Sequence, residues 1–132
     1  MRFTTIAGNF SMSGGGLRVG SLARLSLQNT LLAKNTGADC ELDFDSLTSF
    51  TTLGNNLATN TNCPLNGPGD KIVADAKLGP LANNGGPTMT HLPQAGSPAI
   101  DAAVMLSGIT TDQRGITRPQ GQQPDIGAVE VP

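Results

Sequence analysis

Four acidic residues alternate along one short stretch, and their carboxylates are hard oxygen ligands of the kind that bind Ca²⁺. They are Asp39, Glu41, Asp43 and Asp45, and no basic residue interrupts them. On an extended segment this alternation places the four side chains on one face. The run lacks the spacing of an EF-hand loop and the internal glycine that a sharp calcium loop needs. We therefore favour a solvated acidic loop over a calcium site.

Cys40 and Cys63 are the two cysteines of the chain. In a secreted protein such a pair predicts a disulfide, whereas in the cytosol it would predict two buried thiols. A metal site is disfavoured because there is no Cys-x-x-Cys motif and the one histidine, His91, is distant in sequence. We expect the disulfide, which in the chain-entropy treatment stabilises a loop of this size by roughly 3–4 kcal/mol.

His91 is the residue type most often used as a general base. No nucleophile motif accompanies it in the sequence. We therefore favour a structural hydrogen bond for this side chain.

The elements that would position these residues are short strands. Thr4–Asn9 recurs as Thr30–Asn35, a spacing of about 26 residues that is typical of a repeating β-unit rather than a helix. Two further strand candidates, 16–19 and 23–27, alternate apolar and polar residues as strands with one buried face do. Asn9 and Asn35 hold equivalent places, so they either stack as a hydrogen-bonded ladder or occupy independent turns.

Three motifs follow in order: LGPLANNGGPTMTHLPQAGSPAID at 78–101, TDQRG at 111–115 and DIGAVE at 125–130. Together they resemble the C-terminal region of bacterial secreted or surface parallel β-helix proteins, pectin-lyase-like in fold and of the choice-of-anchor type. The resemblance implies an all-β, right-handed parallel β-helix at the cell surface or outside the cell. With the spacing of the repeats, we expect about four to five coils and a turn-rich C-terminal cap.

The whole chain, 1–132, is expected to be one domain. Residues 1–77 would form the coils, with an irregular acidic loop at 37–52, and residues 78–132 would close and cap them. No signal peptide is recognisable, so we expect the chain to be the C-terminal part of a longer protein whose signal and anchor lie elsewhere.

Six charged residues fall within the three motifs and could carry chemistry. Some members of the resembling superfamily cleave acidic polysaccharides with a basic side chain and Ca²⁺-binding carboxylates. The six residues are Asp101, Asp112, Arg114, Arg118, Asp125 and Glu130. Because they lie in the motifs and not along a regular groove, we expect the two arginines to pair with the carboxylates and hold the C-terminal segment in place.

Composition restricts the function further. Aromatic residues make up 3% of the chain and glycine is abundant, which suits thin layers of small aliphatic side chains. Basic residues are scattered without an aromatic platform, so we expect no nucleic-acid partner. No apolar stretch approaches the ~20 residues of a membrane-spanning helix.

We expect a non-catalytic, monomeric module for adhesion, display or carbohydrate contact. Its partner would be an extracellular polysaccharide or a neighbouring cell surface, with no cofactor unless the acidic run binds Ca²⁺. The alternative is a fragment of a polysaccharide lyase or glycoside hydrolase. Outside the C-terminal motifs, Arg18, Arg24 and the acidic run are its candidate catalytic groups.

Overall fold

The computed structural model describes residues 1–12, 14–43 and 48–132, so Asp45 of the acidic run lies outside the described residues. The described residues form short strands and no helix, which confirms the all-β prediction. The strands are β1 (Thr5–Ala7), β2 (Leu17–Val19), β3 (Arg24–Leu27), β4 (Leu31–Ala33), β5 (Cys40–Leu42), β6 (Ser49–Thr52), β7 (Leu57–Ala58), β8 (Lys71–Ile72), β9 (Leu78–Ala82) and β10 (Thr90–Pro93).

The strands belong to short separate sheets, and the prediction of a right-handed parallel β-helix with four to five coils is wrong. One parallel sheet has the order β1-β4-β7-β8, while β2-β5 and β3-β6 are two-stranded parallel sheets. The β9-β10 pair is antiparallel. The physical reason is that the Gly- and Pro-rich stretch 83–89 turns the chain back on itself instead of continuing the parallel pairing.

The sequence predicts an irregular acidic loop at 37–52, of which residues 44–47 lie outside the described residues. This range contains β5 and β6, which pair in parallel with β2 and β3. Glu41 lies opposite Arg18 in that register, and Cys40 beside it is buried. Glu41 is compatible with a strand because its neighbours Cys40 and Leu42 face the core and its own side chain projects to the other side.

The repeat detected at 4–9 and 30–35 corresponds to strand pairing. Thr5 pairs with Leu31, and Leu31 pairs in turn with Leu57. We call β1, β2 and β3 the first row and β4, β5 and β6 the second row, since each strand of one pairs with its counterpart in the other.

The core consists of two clusters on opposite faces of the sheet that contains β4. Leu32 and Ala58 pack with Leu17, Leu27 and the two cysteines on one face. Leu31, Ala33 and Leu57 pack on the other face with Leu78 of β9 and with Ala99, Ala103 and Ile126 further along the chain. All three residues of β4 are therefore buried, as in other sheets that are covered on both sides.

The C-terminal segment, residues 97–131, packs against one face of this sheet. Asn29 and Asn55 adopt left-handed backbone conformations, with φ of 52° and 53°. Their side-chain amides donate hydrogen bonds to the carbonyl oxygens of Val104 and Ala102, at 2.7 and 2.9 Å. Asparagine tolerates this conformation better than most residues, so the turns of the repeat provide the sites that hold the segment.

Candidate binding cleft

An open cleft of about 350 Å³ lies between β1, the β9-β10 hairpin and the C-terminal segment. Its walls combine neutral polar groups with the exposed apolar side chains of Leu81 and Met89. The polar lining residues are Thr5, Asn9, Thr90, His91 and Gln113. Among the described residues, no aspartate, glutamate, lysine or arginine lines this cleft.

His91 has a defined orientation in the cleft. Its Nδ1 lies 2.8 Å from the carbonyl oxygen of Gly79. Because a carbonyl oxygen only accepts, Nδ1 carries the proton in this bond, and the bond leaves Nε2 unused. The structural hydrogen bond expected from the sequence involves Nδ1. The other ring nitrogen, Nε2, is able to contact a ligand.

Asn9 and Gln113 add further polar groups to the cleft. The Asn9 amide nitrogen donates to Asn35 Oδ1 at 3.1 Å, and the Gln113 amide nitrogen donates to Thr88 Oγ1 at 2.7 Å. Both bonds use the nitrogen, so the side-chain carbonyl oxygens stay available as acceptors. Such acceptors fit the hydroxyl groups of a neutral polar ligand.

A second cleft of about 340 Å³ adjoins the first and shares Thr5, Gln113 and Ala128 with it. Asp112 and Arg118 line this second cleft. Both belong to a network of buried charges in the C-terminal segment, which determines what they can do chemically.

Arg118 is the centre of that network. Its guanidinium forms an ion pair with Glu130, and the two side chains are 1% and 0% exposed. It also donates to the carbonyl oxygens of Asp125 and Gly127 at 3.2 and 2.9 Å. The guanidinium carbon lies 4.1 Å from the centre of the Phe3 ring, a cation–π contact that joins the C-terminal segment to the start of the chain.

Arg114 and Asp112 form a second pair. Two guanidinium nitrogens of Arg114 donate to Asp112 Oδ2 at 3.0 and 2.9 Å. Arg114 also donates to the carbonyl oxygens of Asn84 in the hairpin loop and Glu130 near the C-terminus. The pair therefore connects the hairpin to the C-terminal segment.

Asp125 and Asp101 hold the same segment through backbone groups. Asp125 Oδ1 accepts from the Asp101 N–H at 2.8 Å, and its Oδ2 accepts from the Val131 N–H at 2.7 Å. Asp101 Oδ1 accepts from the Gln123 N–H at 2.9 Å. The arginines thus pair with Asp112 and Glu130, while Asp101 and Asp125 bind main-chain N–H groups.

The pKa shifts of these groups follow from burial and hydrogen bonding. Burial raises the pKa of Glu130, against the opposing effects of the Asp125 N–H and Arg118. Burial acts in the same direction on Asp112, but hydrogen bonds from Glu130, Arg114 and Ile116 outweigh it and lower the pKa. A raised glutamate pKa is also a property of catalytic acids. Glu130, however, lines neither cleft and both its oxygens accept internal hydrogen bonds.

Asn9, Asn35 and Asp39 form a ladder across the two rows. Asn35 receives the Asn9 amide at its oxygen and donates its own amide to Asp39 Oδ1 at 2.8 Å. Asp39 Oδ2 accepts from the Thr59 N–H and hydroxyl at 2.8 and 2.9 Å. The predicted contact between the two asparagines is present, and the ladder continues into a buried carboxylate.

The other described acids of the alternating run, Glu41 and Asp43, lie beside Arg18. Asp43 forms an exposed ion pair with Arg18 at 3.1 Å, and Glu41 neighbours Arg18 in the strand register. Among the described residues no group of three His, Cys, Asp or Glu side chains could hold a metal ion. Calcium binding by the run stays a prediction, because Asp45 lies outside the described residues.

Cys40 and Cys63 form the predicted disulfide, and both are buried. The bond joins β5 to the turn-rich stretch that follows β7. It therefore holds the part of the chain that has few strand hydrogen bonds.

Family models, curated proteins and solved structures gave no match to this chain. The functional argument therefore depends on the geometry of the clefts and the charged network. No helix in the described part of the chain is long and apolar enough to cross a membrane.

Several positioning residues were not found by sequence reasoning. Asn29 and Asn55 hold the C-terminal segment, and Phe3, with φ of 47°, takes the equivalent position before β1. Their equal spacing, which extends the detected repeat, was the signal that could have identified them. Nothing in the sequence signalled that Thr5, His91 and Gln113 line a common cleft.

Proposed function

We propose that this chain is a non-catalytic extracellular or cell-surface module that binds neutral carbohydrate in the first cleft. The observation that carries the proposal is the composition of that cleft in the described part of the chain: neutral polar groups, two exposed apolar side chains and no aspartate, glutamate, lysine or arginine. Polar groups that fix orientation on a partly apolar surface are typical of small-molecule sites.

The lining argues against hydrolysis. Glycoside hydrolases generally place two carboxyl groups about 5–10 Å apart on either side of the bond that is cleaved. None of the described residues that line the first cleft carries a carboxylate. Asp112, in the second cleft, is engaged with Arg114 and with backbone N–H groups.

The buried disulfide supports an extracellular location, since such bonds persist in oxidising compartments. The resemblance of the three C-terminal motifs to bacterial surface proteins favours the same location. Binding of an extracellular polysaccharide or of a neighbouring cell surface is the role we infer from it.

A polysaccharide lyase is the competing function, with Arg18, Arg24 and the acidic run as its candidate groups outside the C-terminal motifs, and with Arg18 or Arg24 as the base. Asp43, by its hydrogen bond and charge, raises the pKa of Arg18, and Glu41 adds to this effect. A base must lose its proton, so these carboxylates oppose the role. Arg18 is better suited to an exposed ion pair than to proton abstraction.

The test is a glycan array probed with the full chain, with and without Ca²⁺. We expect binding to a neutral polymer that does not depend on Ca²⁺. Gln113→Ala and His91→Asn should each weaken it about five- to tenfold, the loss expected for one hydrogen bond. The asparagine retains a donor near the Gly79 carbonyl while it removes Nε2.

Gln122→Ala is the matched control, because Gln122 is also exposed but lies in neither cleft. It should bind like the unmodified chain. Absence of binding to any glycan would contradict the proposal. Ca²⁺-dependent binding to a uronate polymer, with release of unsaturated products, would favour the lyase.

A further inference from the structure

The lysines of the chain lie together on one surface. They are Lys34, Lys71 and Lys77, and all three are exposed. Although they are far apart in sequence, the fold brings them to two short backbone stretches, 76–78 and 96–98. We call the three lysines and these two stretches the lysine surface.

Hydrogen bonds join the two stretches to each other. The Ser97 hydroxyl donates to the carbonyl oxygen of Ala76 at 2.6 Å. Just before the second stretch, the Gln94 N–H donates to the carbonyl oxygen of Lys77 at 2.8 Å. Three residues of extended chain span at most about 10 Å. Side chains that contact these stretches are therefore within reach of a single polymeric ligand.

Two of the ammonium groups are held in place by main-chain carbonyl oxygens. The Lys34 ammonium donates to the carbonyl oxygen of Leu78 at 2.7 Å. The Lys71 ammonium donates to the carbonyl oxygen of Pro98 at 3.2 Å. An ammonium group has three N–H donors, and each carbonyl uses one of them. The other donors of the two lysines can bind an anion.

The third ammonium group, that of Lys77, lies over Gly96. It is 3.2 Å from the position that a Cβ of Gly96 would take, and the φ of Gly96 is 74°. Glycine adopts this conformation without strain, and its lack of a side chain leaves room for the ammonium. Ala95 beside it is exposed. The side chains next to Lys77 are thus small, and a ligand chain can lie across them.

The lysine charges are not neutralised by ion pairs as the arginine charges are. Between described residues, the ion pairs all use arginine, namely Arg18, Arg114 and Arg118. The carboxylates next to the lysines in sequence, Asp70 and Asp75, accept main-chain N–H groups. With these two included, the lysine surface keeps an excess of one positive charge on a chain whose net charge is −2.

We propose that the lysine surface binds a linear phosphodiester polymer outside the cell. Lysine ammonium groups are point charges that suit phosphate, whereas carboxylates are matched better by the two-pronged arginine side chain. All the basic groups of this surface are lysines. The extracellular location is that of the proposed function, but the site is separate from the first cleft and its neutral ligand.

The aromatic residues of the chain favour a polymer without bases. They are Phe3, Phe10, Phe44 and Phe50. None of them belongs to the lysine surface, so it lacks the stacking platform on which proteins bind the bases of single-stranded nucleic acids. Poly(glycerol phosphate) has the required phosphodiesters and no bases, and it is the occupant we infer.

The test is fluorescence anisotropy of an end-labelled poly(glycerol phosphate) of defined length, titrated with the full chain. We expect binding at low salt that weakens about a hundredfold for a tenfold rise in salt, as three neutralised phosphates require. Lys34→Gln, Lys71→Gln and Lys77→Gln should each weaken binding about fivefold. Glutamine removes the charge and keeps a side-chain N–H donor.

Arg24→Gln is the matched control, because Arg24 is also exposed and its replacement changes the net charge equally. It lies in β3, in a different sheet from β8 and β9, and should leave the affinity within about twofold. Asp75→Asn should instead strengthen binding about twofold or more, since it removes a negative charge and keeps the acceptor for the Lys77 N–H. A purely structural role of the lysines does not predict this gain. Circular dichroism checks that each variant is folded.

Absence of binding at up to about 1 mM protein would overturn the proposal. Equal losses from Arg24→Gln and the lysine variants would also overturn it, since net charge alone would then explain the binding. An oligogalacturonate of equal charge that binds as tightly would exclude phosphate as the recognised group. Single-stranded DNA that binds more tightly than poly(glycerol phosphate) of equal charge would make nucleic acid the occupant instead.

Discussion

Replacement of Arg118 by methionine is expected to destabilise the fold strongly, because it leaves a buried carboxylate without its cation. Glu130 is fully buried at its side chain, and Arg118 supplies the ion pair along with hydrogen bonds to Asp125 and Gly127. Removal of one partner of a buried pair costs about 3–5 kcal/mol. For a chain of this length that corresponds to a melting temperature lower by about 10–20 °C.

The loss should depend on pH. Burial already raises the pKa of Glu130, and loss of the Arg118 charge raises it further. The folded state then holds the Glu130 proton more tightly than the unfolded chain does. The destabilisation should therefore be largest above the folded pKa and should shrink as the pH falls towards the ordinary glutamate value of about 4.3.

The assay is urea unfolding of the chain at neutral pH and near pH 4. Arg24→Met is the matched control, because Arg24 is exposed and its loss should cost less than about 0.5 kcal/mol. The double variant Arg118→Met, Glu130→Gln should recover part of the stability, since the uncompensated charge is gone. A loss below about 1 kcal/mol in the single variant, or a loss that is independent of pH, would refute the reasoning.

Three further predictions concern the same fold. Reduction of the Cys40–Cys63 bond should lower the free energy of unfolding by roughly 3–4 kcal/mol; an unchanged melting curve in dithiothreitol would count against a stabilising role. Asp112 has a lowered pKa in the folded chain. Its contribution to the free energy of unfolding is therefore present above about pH 3.9 and is lost as the pH falls through the folded pKa. Asp112→Asn should flatten this acid dependence, and an unaltered acid titration would contradict the assignment. Gly127→Ala should cost about 3 kcal/mol or more, because φ is 105° and a Cβ would lie 2.5 Å from a side-chain hydroxyl. Gly108→Ala, with φ of 80° but open space around it, should cost about 1 kcal/mol; equal losses at the two sites would exclude the steric argument.

The local elements of the fold were accessible from the sequence because they depend on short-range patterns. Alternation predicted that Leu17 and Val19 are buried and Arg18 exposed, as the structure shows. The Gly- and Pro-rich turn cluster at 84–87 lies in the loop that connects β9 to β10. The disulfide followed from the cysteine count and the expected compartment.

The arrangement of the sheets was not accessible in the same way. Both faces of β4 are buried because the C-terminal segment covers the outer one, and no pattern within Leu31–Ala33 specifies that cover. The charges of the acidic stretch suggested a loop, although Glu41 lies within β5 and Asp39 is buried just before it. Each cleft is lined by residues that lie far apart in sequence. Tertiary packing brings these residues together, and no short motif specifies that packing.

The most direct test of the proposed binding role is an NMR titration of the full chain with neutral and uronate oligosaccharides of defined length. The account predicts that a neutral oligosaccharide causes chemical-shift changes that centre on Thr5, Asn9, His91 and Gln113. It also predicts that the oligosaccharide is not cleaved during the titration. Changes that centre instead on Arg18 and Asp43, with a shortened uronate oligosaccharide, would contradict it. The absence of shift changes with every oligosaccharide would contradict it equally.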